Sequence, residues 1–184
     1  MSSRAQLKDR TFLKIAIDLG QLGTCSRGHV GALIVKEGRC VTWGFNGAPP
    51  GLPHCEENQH GWQSHFDSWK LEEEYIGRPQ DEWQERFDKY IQANGCSNAI
   101  HAEANALAFA AREGISTDGG TCYTECVPCV NCARLLIAAG IKRVVAAREY
   151  RDPDGLELLQ SAKVSVLVVS WDEPMREANM VGRS

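Results

Sequence analysis

The sequence predicts an α/β domain in which helices cover both faces of a mixed central sheet. After residue 98, segments typical of strands alternate with segments typical of helices, and parallel strands require crossovers of this kind. Before that, residues 31–35 and 40–45 indicate two strands joined by a short turn, which predicts an antiparallel hairpin. The length of 184 residues and the 43% hydrophobic content are sufficient for the core of one domain.

The individual elements follow from apolar spacing and from turn-forming residues. Apolar residues recur at helical spacing over about residues 4–19, and Gly20 ends that run. The remaining predicted helices are 101–114, 128–139 and 152–162, the last with Asp152 as its cap, and the remaining predicted strands are 119–125, 141–147 and 164–170. We expect these three strands to be parallel to one another.

Residues from about 54 to 98 differ in composition from the rest of the chain, because charged and aromatic residues are dense there. We predict an insertion of two short helices separated at Gly77-Arg78-Pro79. The whole of 1–184 is then a single domain that carries this insertion.

Two short motifs, H-A-E at 101–103 and P-C-V-N-C at 128–132, each lie where a helix is predicted to begin. Cys129 and Cys132 are three residues apart, so on a helix they share one face and can bind one ion. With His101 they offer three nitrogen and sulfur ligands and leave the fourth tetrahedral position for water. A closed structural zinc needs no nearby carboxylate, so Glu103 indicates a catalytic centre.

The combination of H-x-E with P-C-x-x-C is the signature of zinc-dependent deaminases that act on nucleobases. Glu103 would transfer protons from water to the ring nitrogen and to the departing ammonia. The helix N-termini would favour Cys129 and Cys132 as thiolates. Simpler interpretations are a structural zinc knuckle or redox pair for the cysteines, and a first-turn glutamate favoured by the helix dipole for Glu103.

Composition argues against several classes of protein. The net charge of −4 and the lack of a Lys/Arg run argue against a nucleic-acid partner. The longest apolar runs are too short to span a bilayer, and the polar start lacks the apolar core of a signal peptide. Eight cysteines without an export signal indicate reduced thiols and metal ligands in the cytoplasm.

The chain resembles the deoxycytidylate (dCMP) deaminases of the cytidine deaminase-like superfamily over nearly its whole length. The motifs that carry the resemblance are VGALIV at 30–35, GFNG at 44–47, HAEANA at 101–106, PCVNC at 128–132 and AGIK at 139–142. The resemblance implies a three-layer α/β/α sandwich, zinc-dependent hydrolysis of dCMP to dUMP and ammonia for thymidylate synthesis, and a homohexamer. It also implies activation by dCTP and inhibition by dTTP, with Mg²⁺ accompanying the triphosphates.

The resemblance further assigns substrate-binding roles. Asn46 is expected near the sugar, Tyr150 near the nucleotide, and the backbone of Ala102 against the base. Arg27 is our candidate for the phosphate, because a planar guanidinium binds oxyanions bidentately. The alternatives are that Asn46 only forms a turn, that Tyr150 closes a strand end, and that Arg27 is a solvated loop residue.

A second, structural zinc is also implied. Its four ligands would be Cys25, Cys55, His60 and Cys96, which align with a structural zinc of some family members, and His54 or His65 could replace His60. Four protein ligands leave no open position, as in other structural sites. The alternative is that these are free cysteines and a surface histidine.

Regulation is expected on the helix that starts at His101. Asn105, Phe109 and Arg112 recur at spacings of four and three, so they lie along one stripe. In relatives, the residues that match Phe109 and Arg112 are linked to the response to dCTP and dTTP. The alternative is that Phe109 packs in the core while Arg112 pairs with carbonyl groups at the helix C-terminus.

Cys126 departs from the usual family pattern as an extra thiol near the metal motif, and we interpret it as a small buried hydrophobic residue. Two other functions stay open at this point. One is a different zinc-dependent base deaminase, acting on cytidine or on tRNA adenosine, and the other is a non-catalytic zinc-binding module. The intact Glu103 argues against the module.

Overall fold

The computed structural model describes residues 3–25, 28–52, 54 and 99–169. The described residues fall into two compact units. The first contains 3–23, 28–46 and 101–169, and the second contains 24–25, 47–52, 54 and 99–100. The predicted insertion at 54–98 lies almost wholly outside the described residues, so its two helices stay a prediction.

The first unit is built on a five-stranded mixed sheet in the order β2-β1-β3-β4-β5. The strands are β1 (Gly31–Lys36), β2 (Arg39–Phe45), β3 (Thr121–Cys126), β4 (Arg143–Arg148) and β5 (Ser165–Val168). β1 is antiparallel to both β2 and β3, whereas β3, β4 and β5 are parallel. The predicted hairpin and the predicted parallel set are therefore confirmed.

Helices cover both faces of this sheet. They are α1 (Ser3–Gly20), α2 (Ala102–Arg112), α3 (Val130–Ala138) and α4 (Asp154–Ser161). On one face, Leu13 and Ala16 of α1 pack with Leu33 and Val145 of the sheet. The opposite face buries side chains of the other three helices, namely Ala106, Leu136 and Leu159, against Ile34 and Val144. This arrangement confirms the three-layer α/β/α sandwich.

The starts of α2 and α3 differ by one or two residues from the prediction. His101 is the N-cap of α2 and Cys129 is the N-cap of α3, and both have extended backbone, with ψ of 151° and 167°. Helix α3 had been predicted to start at Pro128, but Pro128 precedes the N-cap and lies two residues before the first helical residue, Val130. The backbone stays extended through the P-C dipeptide, so the helix starts only at Val130.

The helix ends agree with the predicted stops. Gly114 and Gly140 follow α2 and α3 with left-handed φ of 68° and 78°, a conformation that glycine adopts without a steric cost. At the start of α4, the Asp152 carboxylate accepts a hydrogen bond from the Asp154 N–H at 2.9 Å. The N-cap of α4 is Pro153, so the predicted cap, Asp152, lies one residue earlier and still bonds the helix start.

A buried polar cluster ties α1 to the sheet. Both carboxylate oxygens of Asp9 accept hydrogen bonds from the Arg143 guanidinium at 2.7 Å, and Asp9 also accepts one from the Tyr123 hydroxyl at 2.9 Å. Asp9 lies in α1, Tyr123 in β3 and Arg143 in β4.

No helix among the described residues is long and apolar enough to cross a membrane.

Candidate functional site

The two sequence motifs meet at one edge of the sheet. Cys126 ends β3, the Val127 N–H donates to the Arg148 carbonyl at 2.9 Å, and the chain then continues through Pro128 into α3. At this edge the Cys129 and Cys132 sulfurs lie 3.4 and 3.5 Å from Nδ1 of His101. The three ligand atoms lie within 4.8 Å of one another. The structure therefore brings together the three residues predicted as metal ligands.

These distances match what a tetrahedral zinc requires. With about 2.3 Å to sulfur and about 2.05 Å to nitrogen, a tetrahedral zinc separates its sulfur and nitrogen ligands by about 3.6 Å. A donor set of one imidazole and two thiolates also suits zinc rather than magnesium or calcium, which prefer oxygen. The residues present fit a zinc ion with one position left for another ligand.

Interactions within the cluster shift the pKa values of its two thiols in opposite directions. The pKa of the Cys129 thiol is lowered, because Cys132 and His101 hydrogen-bond to its sulfur. The pKa of the Cys132 thiol is raised, because it hydrogen-bonds to Cys129 and is buried. The Cys129 thiolate in turn raises the pKa of His101. The lowered pKa of Cys129 favours its thiolate, the form in which cysteine binds a metal.

Glu103 lies in the first turn of α2 and is 3% exposed. Its Oε1 is 3.3 Å from the hydroxyl of Thr124, a fully buried residue of β3. Burial raises the pKa of the Glu103 carboxyl, while its own backbone N–H and the nearby His101 lower it. Burial has the larger effect, so the pKa of Glu103 is raised above its ordinary value. A carboxyl group with a raised pKa next to a metal site can accept and release protons.

Two close backbone approaches hold the motifs in place. A Cβ at Gly44 of β2 would lie 2.5 Å from the Ala102 carbonyl and from the Ala106 N–H, so only glycine lets α2 start so close to the strand. A Cβ at Gly155 of α4 would overlap the Pro128 carbonyl, next to Cys129. Gly155 was not predicted as a site residue, because a glycine inside a helix gives no direct sign of a tight tertiary contact.

The predicted substrate-binding residues lie in loops and at the start of α2. Asn46 follows β2, and its side chain bonds the loop that precedes β1: its Oδ1 accepts from the Val30 N–H at 2.8 Å and its Nδ2 donates to the Gly28 carbonyl at 2.7 Å. Ala102 is fully buried as the first residue of α2. Tyr150 is half-buried two residues after β4, with the Arg151 guanidinium 5.7 Å from its ring centre. Arg27 lies outside the described residues.

The proposed second zinc falls mostly outside the described residues. Cys25 is described and is buried, and His54, an alternative ligand, is exposed. Cys55, His60, Cys96 and the other alternative, His65, are not described, so this site stays a prediction.

The candidate regulatory residues lie at the C-terminal half of α2. Phe109 is 45% exposed, so the alternative in which it packs in the core is wrong. The Arg112 guanidinium lies 4.5 Å from the centre of the Phe109 ring and forms an ion pair with Glu113 at 2.9 Å. Asn105, the third member of the stripe, donates to the Phe45 carbonyl at 3.0 Å. Phe109 and Arg112 thus form an exposed stacked pair.

The extra thiol of Cys126 is buried, and burial raises its pKa to about 12. This environment is consistent with the interpretation of Cys126 as a small hydrophobic residue. Thr124 was not predicted as a site residue either, because a threonine inside a strand is ordinary by composition, and only the fold brings it to Glu103.

Comparison with known proteins agrees with this site. Residues 6–148 match the family model described as the cytidine and deoxycytidylate deaminase zinc-binding region. The chain is 31% identical to the deoxycytidylate deaminase of Enterobacteria phage T2, with 90% of the chain and 96% of that relative covered. It is 36% identical to the deoxycytidylate deaminase of Mycobacterium phage D29, with 77% and 94% covered.

A solved structure gives the same picture. The chain superimposes on the dCMP deaminase of cyanophage S-TIM5, crystallised in complex with dCMP and dUMP, with a TM-score of 0.64. The identity is 26%, and the match covers 92% of this chain and 99% of that one.

Proposed function

Because the chain belongs to the family of cytidine and deoxycytidylate deaminases, we propose that it hydrolyses dCMP to dUMP and ammonia with a bound zinc ion. The observation that carries this proposal is the cluster of His101, Cys129 and Cys132 beside the buried Glu103. The substrate is proposed from the relatives, since two relatives that the chain matches over most of their length are named deoxycytidylate deaminases.

His101, Cys129 and Cys132 would hold the zinc, and the two sulfurs would bind as thiolates. When bound, zinc supplies a Lewis acid that lowers the pKa of water toward neutrality. The side chains of the N-caps His101 and Cys129 form no capping hydrogen bond, and the N–H groups at the starts of α2 and α3 stabilise negative charge.

Glu103 would carry the protons of the reaction. It removes a proton from the water that attacks C4 of cytosine and delivers that proton to ring N3. It then takes the remaining proton from the new oxygen on C4 and delivers it to the departing amino group. The C4–N4 bond breaks, ammonia leaves, and C4 keeps the oxygen as the carbonyl of dUMP.

We propose that Asn46 contacts the sugar, that the Ala102 backbone faces the base, and that Tyr150 and Arg27 bind the rest of the nucleotide. The two hydrogen bonds of the Asn46 amide to the loop before β1 fix the orientation of that side chain. One N–H of Nδ2 then remains for a sugar hydroxyl. Tyr150 follows β4, whose end pairs with the end of β3 just before the metal loop.

We further propose that the protein acts in the cytoplasm as a homohexamer and supplies dUMP for thymidylate synthesis. In this proposal dCTP activates and dTTP inhibits the enzyme, each with Mg²⁺. Phe109 and Arg112 form an exposed stacked pair. A neighbouring subunit or an effector could contact this pair and thereby favour one position of α2. We also propose that the chain is a single domain with an insertion at about 54–98. A second zinc, bound by Cys25, Cys55, His60 and Cys96, would anchor that insertion.

A substrate panel tests the proposed activity. Ammonia release is measured with dCMP, cytidine and dCTP at equal concentrations and equal zinc content. We expect dCMP to be the best substrate by at least tenfold in kcat/KM, about the discrimination that one lost contact gives. Equal turnover of cytidine would indicate a nucleoside deaminase, and no ammonia from any of the three would contradict the proposed enzyme.

A further inference from the structure

Thr124 is a buried threonine that the proposed mechanism does not use. It lies in β3, between β1 and β4, where it is opposite Ala32 on one side and Ala146 on the other. Its hydroxyl lies 3.3 Å from Oε1 of Glu103, and Thr124 and Glu103 are 0% and 3% exposed. The contact therefore joins a central strand to the first turn of α2, away from solvent.

We propose that Thr124 is a positioning residue for Glu103: its hydroxyl donates to Oε1 and leaves Oε2 available for proton transfer. This inference rests on the proposed deaminase function. It assigns no proton transfer to Thr124, whose hydroxyl keeps its own proton throughout the reaction.

The geometry favours threonine for this role. The terminal torsion of a glutamate is broad, so a carboxylate without a fixed partner samples many orientations. Thr124 is stiff at χ1 because it is β-branched, and the ladders with β1 and β4 fix its backbone. A donor held on a rigid strand can therefore select one orientation of the Glu103 carboxylate. At 3.3 Å the contact is longer than a strong hydroxyl–carboxylate bond, so we expect a moderate effect.

Three variants test this inference. Thr124→Val keeps the shape and removes the hydroxyl, whereas Thr124→Ser keeps the hydroxyl and removes a methyl group. Thr42→Val is the matched control, because Thr42 is also a buried threonine of the sheet and donates to α2, but to the Ala106 carbonyl at 2.9 Å. Steady-state kinetics with dCMP, zinc content and thermal unfolding are measured for each.

We expect Thr124→Val to lower kcat roughly tenfold with KM within about twofold, because a misplaced catalytic group costs rate rather than affinity. Thr124→Ser should retain kcat within about threefold of the parent, although it loses a buried methyl group and unfolds at a lower temperature. Thr42→Val should lose stability through its broken hydrogen bond and keep the parent's kcat. All three should bind zinc as the parent does. Crystal structures should show the Glu103 carboxylate rotated in Thr124→Val and unchanged in Thr124→Ser.

Two results would overturn the inference. One is an active parent together with a Thr124→Val variant that has the same kcat and the same Glu103 orientation. The other is a Thr124→Ser variant as slow as Thr124→Val, which would assign the effect to packing. A zinc-loaded parent without activity on dCMP would instead overturn the proposed function, and this inference with it.

Discussion

Glu103 is a buried carboxyl group beside three side chains that can bind a metal. Desolvation disfavours a charge in such a place unless hydrogen bonds or opposite charges compensate it. The H-x-E spacing was enough to select this residue from the sequence. Its burial and its contact with Thr124 were not predictable, because they depend on how α2 packs on β3 across 21 residues of chain.

The first prediction is that Glu103→Gln abolishes dCMP turnover but not zinc binding. Glutamine has nearly the same shape but cannot accept and release the protons, so we expect a loss of about 10²–10⁴-fold in kcat. Ammonia release and metal analysis measure the two effects. Glu157→Gln, an exposed residue of α4, is the control and should match the parent. Turnover of Glu103→Gln within a few-fold of the parent would contradict the role of Glu103.

The Asp9 cluster leads to a prediction about pH and stability. The Arg143 guanidinium, helped by the Tyr123 hydroxyl, holds the pKa of Asp9 below its ordinary value in spite of burial. A lowered folded-state pKa means that Asp9 stabilises the protein above its unfolded pKa of about 3.9. This contribution is lost as the pH falls through the folded-state pKa.

Asp9→Asn should therefore lower the free energy of unfolding by about 1.5–3 kcal/mol near pH 7, the range for hydrogen bonds to charged groups. Urea unfolding at several pH values measures the difference between parent and variant. The difference should shrink as the pH falls below about 4. A difference that stays constant down to pH 2 would show that the charge of Asp9 does not contribute.

α2 and α3 each begin one residue after a proposed ligand, with His101 and Cys129 as N-caps. Apolar spacing and the glycine stops predicted that both helices exist and where they end. Their starts were less predictable, because each lies close against a glycine of β2 or α4, and the local pattern does not contain such contacts. The close approach at Gly155 is one of these contacts.

We predict that Gly155→Ala loosens the zinc site. The added Cβ would overlap the Pro128 carbonyl, so α4 or the loop that carries Cys129 has to shift. We expect zinc affinity to fall by about tenfold or more, as for other changes around metal ligands, and competition with a chelator measures it.

The control for this prediction is Gly114→Ala. Gly114 has a left-handed φ of 68°, and an added Cβ there would meet no atom. This variant should lose about 1 kcal/mol of stability through backbone strain and keep the parent's zinc affinity. Equal zinc affinities for the two variants would contradict the role of Gly155.

The sequence predicted that the sheet is mixed, but it did not predict the order of the strands. Alternating helices and strands after residue 98 predicted the parallel set β3-β4-β5, and the turn near Gly38 predicted the hairpin. That β1 pairs with β3, across about 90 residues of chain, was not predicted, because no local pattern encodes which strands meet. The second zinc and the insertion depend on residues outside those described, so they stay predictions.

The regulatory proposal predicts that Arg112→Gln uncouples the enzyme from its effectors. Arg112 stacks on Phe109 at the exposed side of α2, so its loss should leave basal dCMP turnover within a few-fold of the parent. Activation by dCTP and inhibition by dTTP, which correspond to about 1–3 kcal/mol of coupling, should both disappear. Arg134→Gln on α3 is the control. If Arg112→Gln responds to both nucleotides as the parent does, Arg112 plays no part in regulation.

The most direct test of the central claim is dCMP turnover before and after removal of zinc from the purified protein. The zinc content and the rate of ammonia release are measured on the same samples during chelation and after zinc is added back. If His101, Cys129 and Cys132 hold the ion required for deamination, the rate should fall to background as zinc leaves that site and return when zinc is restored. Full turnover by protein that contains no metal, or no turnover by protein that contains zinc at this site, would contradict the claim.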